Sequence, residues 1–130
     1  MNSMTGAKAL LAFLLVAVPS LYFLLPFCGW VYQCGCTSLP LGGAAKCNIH
    51  QPEGPHCPWC VVGDNDWVGL LPPALILGGQ GGVMWWVARR RHARFWLLLV
   101  AGFVAYWVFG LGVAYVFKLV YNYPYFLGGP

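Results

Sequence analysis

The chain has 130 residues, of which 60% are hydrophobic and 8% are charged. Ordinary soluble domains contain roughly 45–50% apolar and about 25% charged residues, so this composition excludes a typical water-soluble fold. The formal charge of +4 does not indicate a nucleic-acid partner, because four of the seven basic residues form one short run between two apolar segments. We therefore predict an all-α integral membrane protein that contacts the lipid bilayer and binds no nucleic acid.

The first predicted element is a transmembrane helix over residues 9–27. This segment carries no charge and is long enough to cross about 30 Å of hydrocarbon at about 1.5 Å per residue. A cleaved signal peptide is the alternative, since Lys8 supplies a basic start. The apolar run is too long for that, and no small-residue cleavage site precedes Cys28.

Residues 28–66, which we call the cysteine loop, differ sharply from the first span. They hold all six cysteines and all three acidic residues, with several glycines and prolines and no long apolar period. Such a segment predicts an ordered loop rather than a helix or a strand. About forty residues outside the bilayer are too few for a separate catalytic domain, so we expect one membrane domain over residues 1–130.

Two further spans are predicted over residues 67–88 and 95–117, joined by a turn at residues 89–94. Lys and Arg near the ends of spans are retained in the cytoplasm, so Lys8 and the arginine-rich turn predict a cytoplasmic N-terminus and turn. With three spans, the cysteine loop and the C-terminus then lie on the outer side, either periplasmic or extracellular. Tryptophans near the span ends match the aromatic belts of membrane proteins.

The second span has a polar, glycine-rich centre. Gly78 and Gly82 form a Gly-x-x-x-Gly spacing that lets another helix approach closely, and Gln80 needs a hydrogen-bond partner at this depth. We expect these three residues to pack the second span against the other two, with a partner subunit as the alternative.

The cysteine loop contains a candidate metal site. Short spacings such as Cys-x-Cys, Cys-x-x-His and His-Cys-x-x-Cys bring sulfur and nitrogen donors within reach of one ion. Zinc, copper and an iron–sulfur cluster are the candidate groups. The candidate ligands are Cys34, Cys36, Cys47, His50, His56, Cys57 and Cys60.

Disulfides compete with metal for the same cysteines. The number of cysteines is even, and an outer loop would face an oxidising compartment, where bridges staple segments that lack a core. Each bridge would contribute roughly 2–4 kcal/mol. Because the compartment weighs more than the spacing, structural disulfides are the first expectation for this loop.

Thiol chemistry at Cys57-Pro-Trp-Cys60 is a third interpretation. A C-x-x-C pair at the outer end of a membrane helix resembles the membrane thiol oxidoreductases that reduce quinones, in which a second cysteine pair relays electrons. Those proteins bundle more helices than the three predicted here. The resemblance implies redox catalysis at Cys57 and Cys60.

No motif in the sequence specifies a reaction, and no charged residue lies in the middle of a span to serve a proton relay or an ion-coupled transporter. We therefore expect a non-enzymatic accessory or structural subunit that assembles with other membrane subunits and docks through the cysteine loop. The alternatives are a membrane protein that handles a soft ion such as copper or mercury, and the thiol oxidoreductase.

Overall fold

The computed structural model describes residues 5–63, 67–90 and 93–129. These residues form a helical bundle with four α-helices: α1 (Gly6–Tyr32), α2 (Pro58–Gly63), α3 (Leu71–Ala88) and α4 (Phe95–Val120). The segments α1, α4 and Val68–Ala88 are long and apolar enough to cross a membrane, which confirms the expectation of three candidate spans and fits an integral membrane protein. Within the predicted cysteine loop and arginine-rich turn, residues 64–66 and 91–92 lie outside the described residues.

The helix bounds differ from the predicted spans in one way that matters for the cysteines. Helix α1 continues past residue 27 to Tyr32, so Cys28 belongs to the helix and not to the loop. The next residue, Gln33, has a left-handed φ of 52°, which ends the helix. At the start of α3, a short 3₁₀ turn at Val68–Leu70 precedes the α-helix.

The outer faces of the long helices carry large apolar side chains that are exposed. In water this surface would be unfavourable, whereas lipid tails cover it without cost, as expected for membrane spans. The exposed apolar residues include Leu10, Leu14, Val18, Leu75, Phe103, Val108 and Val116.

Helix α3 buries one narrow stripe against α1 and α4. The stripe repeats every four residues and consists of Pro72, Ile76, Gln80 and Met84. Such spacing keeps the side chains on one helical face. The stripe fixes the rotation of α3 about its own axis.

This rotation corrects the expected role of two glycines. Gly78 and Gly82 have no atom within 4 Å of a built Cβ, so they do not form the expected contact between helices of this chain. Their neighbours do: a Cβ on Gly79 would overlap the ring of Phe109, and one on Gly81 would lie 3.1 Å from the ring of Phe13. The Gly-x-x-x-Gly spacing therefore lies on the exposed side of α3.

The Nε2 of Gln80 makes interhelical hydrogen bonds, whereas its buried Oε1 has no hydrogen-bond partner among the described residues. The side chain is fully buried, and its Nε2 donates to Ser20 Oγ on α1 at 3.1 Å and to the Gly102 carbonyl on α4 at 2.9 Å. Ser20 Oγ in turn donates to the Val16 carbonyl at 2.7 Å. One side chain thus links all three long helices, which agrees with the expected packing role of Gln80.

The bundle has two different ends. At one end, Ala12, Met84 and Leu98 form a small core close to the turn that joins α3 to α4. On that turn, the guanidinium groups of Arg89 and Arg90 lie over the rings of exposed tryptophans, at 5.2 and 4.0 Å from the ring centroids. A larger core that includes five of the six cysteines lies at the opposite end. The thiols and the arginines are therefore separated by the length of the bundle.

Candidate metal centre

The C-terminal part of α1 contributes the first cysteine of the candidate site. Cys28 lies on the last turns of the helix with its side chain buried, and the left-handed Gln33 then reverses the chain toward Cys34. Gly29 permits this reversal, because a Cβ there would lie only 2.0 Å from the Cys36 carbonyl oxygen. The Cys-x-Cys segment is thereby pressed against the helix that carries Cys28.

Gly35, between the two cysteines of that segment, has a φ of +88° that favours glycine. A Cβ at this position would lie 2.4 Å from the Lys46 carbonyl oxygen, so the absence of a side chain lets the segment before Cys47 approach. The backbone N–H of Asn48 donates to the Cys34 carbonyl at 2.7 Å, which fixes the register of the two segments. Three short 3₁₀ turns (Leu39–Leu41, Gly43–Lys46 and Asn48–His50) supply the intervening chain.

Asn48 connects the cysteine loop to the rest of the protein. Its Oδ1 accepts a hydrogen bond from the Cys57 backbone N–H at 2.7 Å, and its Nδ2 donates to Tyr123 Oη at 2.9 Å. Tyr123 lies beyond α4 and donates to the Tyr32 carbonyl at 2.8 Å. Residues far apart in sequence therefore hold the loop in one conformation.

Helix α2 brings the remaining two cysteines to the site. Pro58 follows Cys57 at the first position of the helix, where the backbone N–H that proline lacks would have no helical partner. Cys60 lies within this six-residue helix. Trp59 packs against Phe27 and Tyr32 of α1, with ring centroids 5.9 and 5.6 Å apart. This aromatic contact anchors α2 against the membrane-spanning bundle.

All six thiols meet in one place, which we call the thiol cluster (Cys28, Cys34, Cys36, Cys47, Cys57 and Cys60). The Cys28 sulfur lies 3.2 Å from that of Cys57 and 3.6 Å from that of Cys34. The Cys60 sulfur lies 2.8 Å from that of Cys47 and 3.6 Å from that of Cys36. Five of these side chains are at most 5% exposed, and Cys60 is intermediate. The cluster is shielded from solvent.

None of the six cysteines forms a disulfide in the structure. The expectation of disulfide staples is therefore wrong for this conformation, because each sulfur has several sulfur neighbours instead of one at the bond length of about 2.05 Å. The sequence shows only that the cysteines are even in number. It does not show that one fold brings all of them to a common centre.

The thiols group into four triads in which all sulfurs lie within 4.8 Å of one another. The triads are Cys28/Cys57/Cys60, Cys28/Cys34/Cys36, Cys34/Cys47/Cys57 and Cys36/Cys47/Cys60. Converging thiols at this spacing are able to hold a metal ion. The thiol cluster is therefore a candidate metal centre, in agreement with the candidate ligands Cys34, Cys36, Cys47, Cys57 and Cys60.

The surroundings divide the thiols by acidity. A hydrogen bond from the Cys28 thiol lowers the pKa of Cys34, and a hydrogen bond with the same thiol lowers the pKa of Cys36. Burial raises the pKa of Cys47 to about 12. The hydrogen bond with Cys28 lowers the pKa of Cys60, but those with Cys36 and Cys57, together with burial, outweigh it and raise that pKa. Closely spaced thiols cannot all ionise unless positive charge enters the cluster.

The two candidate histidines do not join the cysteines. His50 Nε2 lies 3.1 Å from the Ala44 carbonyl oxygen, and His56 Nε2 lies 2.9 Å from that of Gln51. Neither imidazole belongs to a group of converging ligands among the described residues. The structure thus does not bring His50 and His56 to the thiols, and each ring bonds instead to its own stretch of loop backbone.

The structure does not single out Cys57 and Cys60 as a redox pair. The Cys57 sulfur contacts that of Cys28 at 3.2 Å and the Cys60 sulfur contacts that of Cys47 at 2.8 Å, so each has a cysteine partner outside the C-x-x-C pair. Cys57 is fully buried, whereas an attacking thiolate must reach its substrate. The arrangement favours shared ligation over thiol exchange.

Cys28 is the member of the thiol cluster that the list of candidate ligands missed. It lies within the apolar helix α1 and has no cysteine or histidine within four positions, so ligand spacing gives no signal for it. The signal available in the sequence was its position at the membrane end of the loop. In the structure it takes part in two of the four triads.

Comparison of the chain with models of known protein families, with curated proteins and with solved structures finds no match. The arrangement of the six thiols is thus the observation on which a functional proposal rests. Its chemistry is specific enough to support one, because buried thiols that converge without forming bonds are typical of thiolate metal centres.

Proposed function

We propose that this protein is a membrane protein that binds soft metal ions, with copper(I) as the favoured ion, through the six thiolates of the thiol cluster. The supporting observation is that all six cysteines converge, unbonded to one another, in a shielded pocket at one end of the bundle. Six free thiols at this spacing are readily oxidised unless a metal protects them. On this proposal the protein holds or passes on metal at one membrane surface.

The ligand chemistry supports copper(I) over the other candidate groups. Soft thiolate ligands suit copper(I), zinc and iron–sulfur clusters alike, but the sulfurs here come together in threes, as in trigonal copper(I) coordination. Structural zinc takes four ligands in a tetrahedron. Iron–sulfur clusters are held by four cysteines and need inorganic sulfide as a further ligand, whereas six thiols converge here.

The test is metal retention by the purified, reduced protein in mild detergent. The chain should retain copper(I) through gel filtration in the presence of a competing chelator. Cys47→Ser should bind less copper, while His50→Ala, a change in the same loop outside the cluster, should bind as much as the unchanged protein. Far-UV circular dichroism checks that both variants stay helical. Failure to retain any metal, or equal retention by Cys47→Ser, would contradict the proposal.

We also propose a role as an accessory subunit, on a separate observation. Ala74, Gly78 and Gly82 form an exposed stripe of small residues on α3, where a helix of another protein has room to approach closely. Co-purification in mild detergent tests this role. A copurifying membrane protein that is lost when Gly78 and Gly82 are both replaced by leucine would support it, and a solitary monodisperse protein would count against it.

A further inference from the structure

The thiol cluster has a regular internal arrangement. Each of the six sulfurs occurs in two of the four triads. The only pairs that share no triad are Cys28 with Cys47, Cys34 with Cys60, and Cys36 with Cys57. Six points with three non-neighbouring pairs have the connectivity of an octahedron, in which those pairs are the opposite corners.

The four triads are alternate faces of this octahedron. Two triads never share an edge, but each pair of triads shares one sulfur: for example, Cys34/Cys47/Cys57 and Cys36/Cys47/Cys60 have only Cys47 in common. An ion placed over each triad would have three thiolate ligands. Every thiolate would then bridge two ions, so no sulfur is left over and none is used three times.

We propose that the thiol cluster binds four copper(I) ions as a single polynuclear cluster, one ion over each triad, bridged by all six cysteines. This inference rests on the proposed metal-binding function and specifies its stoichiometry. Copper(I) suits the arrangement because it accepts three thiolate ligands, whereas a tetrahedral ion needs four mutually adjacent sulfurs and an octahedron contains no such set.

This arrangement requires a definite spacing between the sulfurs of a triad. A trigonal ion with metal–sulfur bonds of about 2.3 Å holds its three sulfurs about 4.0 Å apart. The sulfurs within the triads all lie within 4.8 Å, and the Cys28–Cys34 and Cys36–Cys60 contacts of 3.6 Å are close to this spacing. The Cys28–Cys57 contact of 3.2 Å and the Cys47–Cys60 contact of 2.8 Å are shorter, so these two pairs have to separate by about 1 Å as the ions bind.

Charge balance also favours several ions over one. Six thiolates around one copper(I) ion would leave five negative charges in a buried site, which is strongly unfavourable. With four ions the balance is 4 Cu⁺ + 6 RSH → [Cu₄(SR)₆]²⁻ + 6 H⁺. No electron is transferred, every thiol proton is released to solvent, and the buried charge falls to −2.

The experiment is an anaerobic titration of the full-length, reduced protein in detergent with copper(I). We expect binding to saturate at four ions per chain, one for each triad. The luminescence typical of polynuclear copper(I) thiolates should rise with loading, and X-ray absorption should show sulfur ligands only, together with a copper–copper distance. Saturation at one or two ions would overturn the cluster but leave the proposed function standing. No binding would overturn both.

A single variant separates a cluster from an isolated three-coordinate site. Cys28→Ser removes one ligand from two triads and leaves Cys34/Cys47/Cys57 and Cys36/Cys47/Cys60 complete. On the cluster proposal, copper binding falls to about half, and the copper–copper signal weakens. Unchanged stoichiometry in Cys28→Ser would overturn the proposal. His56→Ala, which alters a loop side chain outside the cluster, serves as the control and should still bind four ions.

Discussion

The side-chain oxygen of Asn48 accepts a 2.7 Å hydrogen bond from the backbone N–H of Cys57 and so ties together two parts of the cysteine loop that each carry thiols. The amide nitrogen of the same side chain reaches Tyr123 at 2.9 Å. A single amide therefore positions α2 and its cysteines relative to both Cys47 and the segment after α4.

Replacing Asn48 by alanine should loosen the thiol cluster. The change removes both hydrogen bonds and leaves the Cys57 amide without its partner, at a cost of about 1–3 kcal/mol. We expect a lower melting temperature in detergent and faster loss of copper to a chelator. Asn48→Asp keeps the acceptor for Cys57 and should retain more of both properties. Equal copper retention in the alanine variant would contradict this positioning role.

Gly29→Ala should disrupt the cluster from the helix side. The new methyl group would lie 2.0 Å from the Cys36 carbonyl oxygen, so the Cys-x-Cys segment has to move away from α1. We expect reduced copper binding with the helices still formed. Gly112→Ala is the matched control, because it is also a helical glycine but has open space around its Cβ. It should bind copper normally. Normal binding by Gly29→Ala would show that this close contact is not required.

Gln80→Leu should weaken helix packing without altering the metal centre. The change removes the bonds to Ser20 and Gly102, each contributing about 0.6–2 kcal/mol in a membrane protein. Thermal unfolding in detergent should therefore occur at a lower temperature, while copper stoichiometry stays the same. Gly82→Ala, on the exposed side of the same helix, should leave the melting temperature almost unchanged. A stability loss shared equally by both variants would argue against the role of these bonds.

The predicted orientation is testable with two native lysines. Lys46 is exposed on the cysteine loop, and Lys8 is exposed near the opposite end of the bundle. If the arginine-rich turn is cytoplasmic, a membrane-impermeant amine reagent added to intact cells should modify Lys46 and spare Lys8. After the membrane is permeabilised, both should react. Labelling of Lys8 in intact cells would reverse the orientation and place the thiols in the cytoplasm.

The three long helices were predictable from the sequence because lipid thickness imposes a length on any uncharged apolar segment. The sequence predicted that Gln80 would have a hydrogen-bond partner on another helix, because a buried amide needs one. It did not show which residues supply that partner. The sequence could not show that Gly79 and Gly81, and not Gly78 and Gly82, face the other helices of the bundle. That outcome depends on how α3 is rotated, and that rotation is set by contacts with Phe13 and Phe109 from other helices.

The candidate site was predictable in composition but not in geometry. Five of the seven candidate ligands converge, because short spacing does bring cysteines together locally. His50 and His56 fail because each ring finds a closer partner in the loop backbone, and Cys28 was missed because it comes from a different element. Whether thiols bond in pairs or gather around one point depends on long-range folding, which spacing does not encode.

The segment that follows α4 folds back against the start of the cysteine loop. The Leu127 N–H donates to the Val31 carbonyl at 2.9 Å, and Tyr123 is 3% exposed against Tyr32. These few residues supply part of the wall around thiols that all lie more than about sixty positions earlier in the chain. Trimming the protein after Val120 would thus preserve every sulfur and every membrane span, yet open the enclosure in which those sulfurs are gathered.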